Sequence, residues 1–226
     1  MGGDKAFVNP AGAHTAAMNA ERRAMTPFDP RLDPRLAGLL AARLCHDLGS
    51  PVATLAAMQG EVGAGAAPIL KETTVELTER LKLYHNAFGL GDDADWAEVA
   101  ALLRGAPMAH RVRFEVAAGD GPMPAARVRL ALVAALQAAE ALPRGGLVRL
   151  SALGDGLAAQ PEGRDAAWPP PVVALAAGGS MDEALSLGAR RVLAPWLFSL
   201  AAAEGMRVEL AMGMGGGVAP LLIVPA

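Results

Sequence analysis

Two apolar stripes of helical period, separated by a cluster of glycines, constrain the fold of this chain most strongly. The first follows Asp33-Pro34, where an aspartate N-cap and a proline in the first turn predict a helix start. Its members recur every three or four residues: Leu36, Leu40, Leu44, Leu48, Pro51, Leu55 and Met58. The second begins near Pro68, with the stripe Leu70, Thr73, Leu77, Leu81, Tyr84 and Phe88. Two helices joined by a glycine turn predict an antiparallel hairpin.

Such a hairpin, placed at residues 29–91, has too little partner surface to bury both stripes by itself. Pairing with a second copy would form a four-helix bundle and cover them, so we expect a homodimer. The alternative is a hairpin that packs on the rest of its own chain. Residues 1–28 show no helical or strand period and are rich in small residues, which predicts a flexible tail.

The pattern changes after the hairpin, and residues 92–226 mix helical and strand signals. We predict helices at 95–104, 124–142, 182–187 and 189–204, and strands at 112–116, 147–153, 172–176, 207–212 and 218–224. This mixture predicts an α/β sandwich with one sheet covered by helices on one face. The whole chain is therefore expected to have an α+β fold, with the hairpin first.

Composition excludes several classes of function for this 226-residue chain. Its net charge is −3 and its basic residues are scattered, so it lacks the basic stripe that binds nucleic acid. No apolar stretch approaches the roughly 20 residues of a membrane span, and no signal peptide is recognisable. The single cysteine, Cys45, cannot form an intramolecular disulfide and has no metal-ligand spacing with the histidines. We therefore expect a cytoplasmic protein without its own metal or cofactor.

His46 is the most informative of the four histidines. At about 100° per residue, the apolar stripe of its helix lies roughly 80° to 200° away from it, so the imidazole is expected to point outward. Small residues dominate this outer face, which leaves room for a partner helix, although an alanine-rich composition alone would produce some of them. We predict a partner-docking face of Arg35, Leu39, Ala42, Ser50, Ala53 and Ala57.

The run His46-Asp47-Leu48-Gly49-Ser50-Pro51-Val52 resembles the phosphorylation box of histidine kinase dimerisation helices. The resemblance implies that His46 carries a phosphoryl group and that Asp47 assists it. A carboxylate beside the ring can accept its other N–H and make the reacting nitrogen more basic. Arg43, one turn earlier, is expected to supply positive charge to the transferring group. We therefore predict His46, Asp47 and Arg43 as catalytic residues.

The region from Arg127 to Gly146 resembles the first nucleotide-binding helix of a histidine kinase and its following turn. Val133 and Gln137 stand where kinases carry two asparagines. Ala177-Gly178-Gly179 follows the strand predicted at 172–176, where the adenine-binding aspartate is expected, and Gly154-Asp155-Gly156 is interpreted as a turn. The second domain therefore resembles a degenerate ATP-binding domain.

A kinase-like hairpin with such a domain is similar to the ChpT-type histidine phosphotransferases, as is the acidic Glu140 before Pro143-Arg144-Gly145-Gly146. The resemblance implies a homodimer that relays phosphate from the receiver domain of a hybrid histidine kinase to response regulators of cell-cycle control. It also implies Mg²⁺ in the partner receiver and no ATP-dependent kinase activity. Two alternatives stay open: a diverged histidine kinase that retains nucleotide binding, and a non-catalytic dimeric adaptor.

Overall fold

The computed structural model describes residues 33–58, 66–117, 119, 121–211 and 217–226. The tail predicted at 1–28 and the glycine turn of the hairpin lie outside these residues. The first two elements are α1 (Pro34–Met58) and α2 (Ala66–Phe88), which pack against each other. The N–H of Arg35 donates to Asp33 Oδ1 at 2.8 Å, so the aspartate caps α1. The predicted hairpin is confirmed.

A mixed α/β domain follows the hairpin. Its helices are α3 (Trp96–Leu102), α4 (Ala125–Glu140), α5 (Pro170–Ala176), α6 (Met181–Ser186) and α7 (Leu193–Ala203). Its strands are β1 (Val112–Val116), β2 (Gly146–Leu153), β3 (Gly156–Glu162), β4 (Met206–Leu210) and β5 (Leu221–Pro225). Short 3-10 turns occupy Leu103–Gly105 and Ala189–Arg191.

The five strands form one sheet in the order β1-β2-β3-β5-β4. Only the β1–β2 pair is parallel, and α4 connects these two strands. Side chains alternate across the sheet, because successive residues of a strand point to opposite faces. One face contributes buried residues to the core with α4 and α7: Val148, Leu150, Leu157, Ala159, Val208, Leu221 and Ile223. The other carries exposed charges, including Arg149 between Glu115 and Glu162.

One predicted element of this domain is wrong, and one strand was not predicted. Residues 172–176 belong to a helix, α5, and not to a strand. Pro170 and Pro171 occupy its first turn, where a missing N–H costs nothing, and a short apolar run does not distinguish a buried helix from a strand. The sequence analysis also missed β3, whose Gln160 and Pro161 are weak strand formers. Pairing with both β2 and β5 holds β3 in the sheet.

Because residues 172–176 are helical, the segment after them is not the one to compare with the adenine-binding aspartate of a histidine kinase, which is expected after a strand. Ala177-Gly178-Gly179 follows a helix, so its lack of a carboxylate says nothing about the end of a strand. Gly154 and Asp155 form the two-residue turn between β2 and β3, as predicted. The strand that precedes α5 along the chain is β3, and the first carboxylate after it, Asp165, pairs with Arg144 on the surface at 2.7 Å.

The hairpin rests on the α/β domain at one end only. Leu83, Tyr84 and Ala87 of α2 belong to the same buried cluster as α4 and the sheet. Near the start of α1, Leu36 is buried against Leu185 and Val192. The later half of α1 and the earlier half of α2 extend beyond these contacts. His46 therefore lies midway along α1, near the edge of the α/β domain.

Candidate functional site

The His46 imidazole stands out from α1 with 66% of its side chain exposed, as its angular position predicts. Its Nδ1 lies 3.1 Å from Asp47 Oδ1, close enough for a hydrogen bond. If the carboxylate is ionised, it can only accept, so Nδ1 carries the proton. In the neutral imidazole the other nitrogen, Nε2, then keeps an unprotonated lone pair. The geometry therefore favours Nε2 as the nucleophilic atom.

Asp47 is only 10% exposed, and three side chains donate to its carboxylate. Arg43 Nε lies 2.7 Å and Tyr84 Oη 2.8 Å from Oδ2, while His46 faces Oδ1. Burial by itself would raise the pKa of Asp47. The hydrogen bond and charge of Arg43, with the bonds from His46 and Tyr84, outweigh burial and lower this pKa below its usual value. Asp47 is therefore a carboxylate at neutral pH.

The backbone of Asp47 is held by a second interaction, which depends on Pro51. In an α-helix the carbonyl of residue 47 accepts from the N–H of residue 51, and proline has none. Arg80 of α2 supplies the missing donor, because its Nη1 lies 2.9 Å from the Asp47 carbonyl oxygen. Arg80 is buried and its Nη2 also pairs with Glu76 at 2.5 Å. Because Pro51 lacks an N–H, the Asp47 carbonyl of α1 is available to bind Arg80 of α2, at the level of His46.

Arg43 connects the histidine site to the α/β domain. Besides Asp47, it reaches Glu140 at the end of α4, with 2.8 Å between Arg43 Nη1 and Glu140 Oε1. The same Nη1 donates to the backbone carbonyl of Arg190 at 3.2 Å. Arg43 is nearly buried, and burial favours its neutral form, but the two carboxylates outweigh this and raise its pKa. Its charge is therefore shared between Asp47 and Glu140, and its guanidinium faces these two acids.

A recess of about 320 Å³ opens beside His46, between α1 and the α/β domain. Its lining residues are Arg43, His46, Asp47, Met108, Arg111, Glu140, Arg190 and Arg191. Four guanidinium groups thus surround two carboxylates, which leaves the recess with an excess of positive charge. Arg190 and Arg191 are exposed, so the recess offers positive charge to an anion near His46 besides that of Arg43.

The residues predicted as a docking face do not all have the same environment. Ala42, Ser50, Ala53 and Ala57 are exposed small residues on the His46 side of α1. Leu39 is partly buried and packs against the cluster around Leu36. Arg35 is exposed but pairs with Asp33 at 3.1 Å and with Asp182 of α6 at 2.5 Å. The structure therefore places two of the six against their own α/β domain.

The positions that correspond to the kinase asparagines are inside the core. Val133 and Gln137 of α4 are both completely buried. Neither amide atom of Gln137 has a hydrogen-bond partner within the described part of the chain. Both side chains therefore lack access to a nucleotide or metal in the solvent.

Five side chains of the histidine site are not predicted from the sequence as site residues: Arg80, Tyr84, Glu140, Arg190 and Arg191. Tyr84 was assigned only to the apolar stripe, Arg80 was not singled out, and Glu140 was noted only as a feature of the family. Pro51 could have indicated a contact such as that of Arg80, because a proline within a helix leaves the carbonyl four residues earlier without its usual N–H donor. Nothing local to the sequence pairs Glu140 with Arg43, which is 97 residues away.

The described residues contain no group of three or more histidine, cysteine, aspartate or glutamate side chains able to hold a metal. None of the helices in the described ranges is long and apolar enough to cross a membrane.

Comparison with known proteins identifies the α/β domain. Residues 96–214, more than half of the chain, match the family model described as "Histidine phosphotransferase C-terminal domain". No curated protein matches the sequence. The matched region contains Glu140 and Arg190, whereas His46 lies in the hairpin before it.

Two solved structures are similar to the chain. The first, described as "1.7 Angstrom Structure of a Bacterial Phosphotransferase", has 23% identity and a TM-score of 0.65. This similarity covers 83% of this chain and 95% of that one, and it shows a common fold. The second, the Acinetobacter baumannii histidine kinase AdeS, has 15% identity and a TM-score of 0.37, covering 80% of this chain and 97% of that one. No conclusion rests on the second similarity.

Proposed function

The chain belongs to the histidine phosphotransferase family, and on this premise we propose that His46 relays a phosphoryl group between receiver-domain aspartates. The observation that carries the proposal is the exposed imidazole, held at Nδ1 by a buried carboxylate and free at Nε2. This is the state in which a histidine nitrogen attacks a phosphorus atom.

The transfer follows from this geometry. The Nε2 lone pair attacks the phosphorus of the partner's aspartyl phosphate, and an N–P bond forms as the P–O bond to the aspartyl oxygen breaks. That oxygen leaves with the bonding electrons as a carboxylate. Asp47 stabilises the positive charge that the ring acquires, and Arg190 and Arg191, which line the recess beside His46, offer positive charge to the phosphoryl oxygens. Mg²⁺ bound by the partner receiver would supply further positive charge on the receiver's side of the phosphoryl group. The second step reverses these events on another receiver.

A relay fits the α/β domain better than an ATP-dependent kinase does. The side chains of Val133 and Gln137 are buried, so the two positions that would contact nucleotide and metal are filled with core residues. The partners we propose are the receiver of a hybrid histidine kinase and those of response regulators of cell-cycle control, in the cytoplasm. Ala42, Ser50, Ala53 and Ala57 give such a receiver a surface of small side chains around His46.

We also propose that the free end of the hairpin forms a homodimeric four-helix bundle. Leu44, Leu48, Val52 and Leu55 recur along one side of α1, and Leu70, Leu77 and Leu81 along one side of α2. Val52 and Leu81 are about half exposed in the single chain, and the others are partly buried. A second copy would cover these leucines and valine and would add to the stability of both hairpins.

The relay is tested with a phosphorylated, radiolabelled receiver domain and the purified full chain. Label is expected on the unchanged protein and on the control His85→Gln, whose histidine is also exposed on the hairpin. No label is expected on His46→Gln, and the label on the unchanged protein should be acid-labile. Equal labelling of His46→Gln would rule out the proposed carrier.

Two further measurements separate the alternatives. Titration with Mg²⁺ and ATP is expected to give no saturable binding, and micromolar binding would favour a diverged kinase. A receiver that binds but never transfers label to the unchanged protein would favour an adaptor.

The dimer is tested by the molar mass of the full chain in solution. Val52→Glu combined with Leu81→Glu is expected to give a monomer, because two charges would be placed in the bundle. Leu187→Glu is the matched control, since Leu187 is equally exposed but lies on the α/β domain. Identical masses for all three proteins would contradict the proposed bundle.

A further inference from the structure

The Asp47 carboxylate can turn about its Cβ–Cγ bond, because this torsion of an aspartate has only a broad preference. Its hydrogen bonds therefore decide which oxygen faces the ring of His46. Oδ2 accepts from Arg43 Nε at 2.7 Å and from Tyr84 Oη at 2.8 Å, whereas Oδ1 lies 3.1 Å from His46 Nδ1. The two donors at Oδ2 come from different helices, α1 and α2. One oxygen is thus held between the helices, and the other faces the imidazole.

Arg43 alone does not fix this arrangement. The Nε and Nη2 nitrogens form one edge of its guanidinium, and such an edge commonly binds both oxygens of a carboxylate in parallel. Here only Nε donates to Asp47, and Nη2 forms no hydrogen bond with it. The third nitrogen, Nη1, donates to Glu140 and to the Arg190 carbonyl. The guanidinium therefore permits a second arrangement, in which Nε and Nη2 bind both oxygens and Oδ1 is lost to His46.

Tyr84 is a more rigid donor than Arg43. It is only 6% exposed, and its ring packs edge-on against Phe88 with 5.3 Å between the ring centroids. Burial and the nearby charge of Asp47 raise the pKa of Tyr84 well above its usual value, so the hydroxyl keeps its proton and remains a donor. The packing of α2 therefore sets the direction from which Oδ2 is held.

The backbone of Asp47 is fixed independently of its side chain. Arg80, about one turn before Tyr84 on α2, donates to the Asp47 carbonyl at 2.9 Å. Loss of the Tyr84 hydroxyl would leave this contact in place. The change would then be confined to the orientation of the carboxylate.

We propose that Tyr84 is a positioning residue: by donating to Asp47 Oδ2 from α2, its hydroxyl keeps Oδ1 turned toward His46 Nδ1. Without this hydroxyl, the carboxylate turns onto the Nε and Nη2 edge of Arg43, and Nδ1 loses its acceptor. The ring then has a weaker preference for the form in which Nε2 is the free nucleophile. This inference rests on the proposed function of His46 and gives the second helix of the hairpin a part in it.

The test measures the imidazole tautomer directly, with ¹⁵N-labelled histidine in the full chain, without a receiver and at a pH where the ring is neutral. The His46 signals are assigned by their loss in His46→Gln. Tyr84→Phe removes the hydroxyl and keeps the ring. It should lower the ratio of the Nδ1–H to the Nε2–H form about fivefold, as expected for the loss of one hydrogen bond. If the hydroxyl only withdrew charge from Asp47, its removal would instead strengthen the bond from Nδ1 and raise the ratio.

Two further comparisons separate positioning from a general loss of stability. Thr73→Val is the matched control, because it also removes one hydroxyl from a buried residue of α2, and Thr73 makes no hydrogen bond to Asp47. It is expected to leave the ratio unchanged. In an Asp47→Ala background, Tyr84→Phe should have no further effect on the ratio, since Tyr84 acts through that carboxylate.

Transfer from a phosphorylated receiver gives a second readout. Tyr84 is buried, so its hydroxyl is not part of a docking surface. Tyr84→Phe should slow transfer at saturating receiver about twofold to threefold and leave the receiver concentration for half-saturation unchanged. A raised half-saturation with an unchanged maximal rate would show that the hydroxyl acts on docking and would overturn the inference.

The outcomes also separate this inference from the relay. An unchanged or raised tautomer ratio in Tyr84→Phe overturns the positioning, even if transfer falls, and so does an equal fall in Thr73→Val or in the Asp47→Ala background. A lowered ratio in a protein whose His46 never takes label supports the positioning but rejects the relay. Label on His46 with an unchanged ratio rejects only the positioning.

Discussion

Two regions of the molecule resemble a histidine kinase in sequence, and they differ in how far their polar side chains are hydrogen-bonded. Around His46, side chains from three helices form a continuous set of hydrogen bonds through Arg43, Asp47 and Tyr84. In the helix that resembles the nucleotide-binding helix of a kinase, Gln137 is completely buried, and its amide makes no hydrogen bond to any described residue. In the first region most polar atoms have partners, Glu140 Oε2 and Arg80 Nε being exceptions, whereas neither amide atom of Gln137 has a partner among the described residues.

The difference lies in how completely the polar groups are hydrogen-bonded. A buried polar atom without a partner costs about 1–3 kcal/mol, so a partnered cluster is favoured wherever the groups are needed. Asp47, Arg43 and Glu140 come from two parts of the chain and meet at bonding distance. Gln137 has no such arrangement. We therefore expect substitutions at the two regions to have opposite effects on stability.

The largest expected effect is at Arg80. Arg80→Met should lower the free energy of unfolding by about 3 kcal/mol, because the Asp47 carbonyl loses its donor and the pair with Glu76 is removed. In a Pro51→Ala background the new N–H at position 51 can donate to that carbonyl. The cost of Arg80→Met should then be smaller by about 1 kcal/mol. Urea denaturation of the four proteins measures this, and equal costs in both backgrounds would contradict the role given to Pro51.

The opposite sign is expected at Gln137. Gln137→Met keeps the volume and removes two unpartnered polar atoms, so the free energy of unfolding should rise by about 1–2 kcal/mol. Label transfer to His46 should not change. Gln160→Met is a suitable control, because Gln160 donates to the Val218 and Pro161 carbonyls and its loss should destabilise the protein. A destabilised Gln137→Met would mean that this amide has a partner after all, such as a buried water.

The smallest effect is a pH dependence at Asp47. Its pKa in the folded protein lies below the usual 3.8, so the ionised carboxylate adds stability that is fully present above that value. Asp47→Asn should therefore be less stable than the unchanged protein by about 1 kcal/mol at neutral pH. The difference should shrink as the pH falls below 3.8 and through the folded-state pKa. Asp155→Asn, in the exposed turn before β3, should follow the unchanged protein throughout, and a constant Asp47→Asn difference down to pH 2 would exclude this account.

Much of the hairpin could be predicted because its information is local. The 3.6-residue period placed both helices, Asp33 marked the start of α1, and the angle of His46 to the stripe predicted its exposure, which is confirmed. The α/β domain was less predictable. The strand β3 is held by its neighbours against weak local preference, and the apolar run of α5 has no period that separates helix from strand.

The sequence alone determined the reactive histidine, its adjacent acid and the face on which both lie, because these depend on residues within a few turns of one helix. Tertiary structure decided what surrounds them. Tyr84, Arg80 and Glu140 reach Asp47 or Arg43 across 33 to 97 residues of chain, and no spacing rule connects positions so far apart. Only the packing of α1 on α2, and of α2 on α4, brings these donors and acceptors to bonding distance, because hydrogen bonds act over about 3 Å in space whatever the separation in sequence.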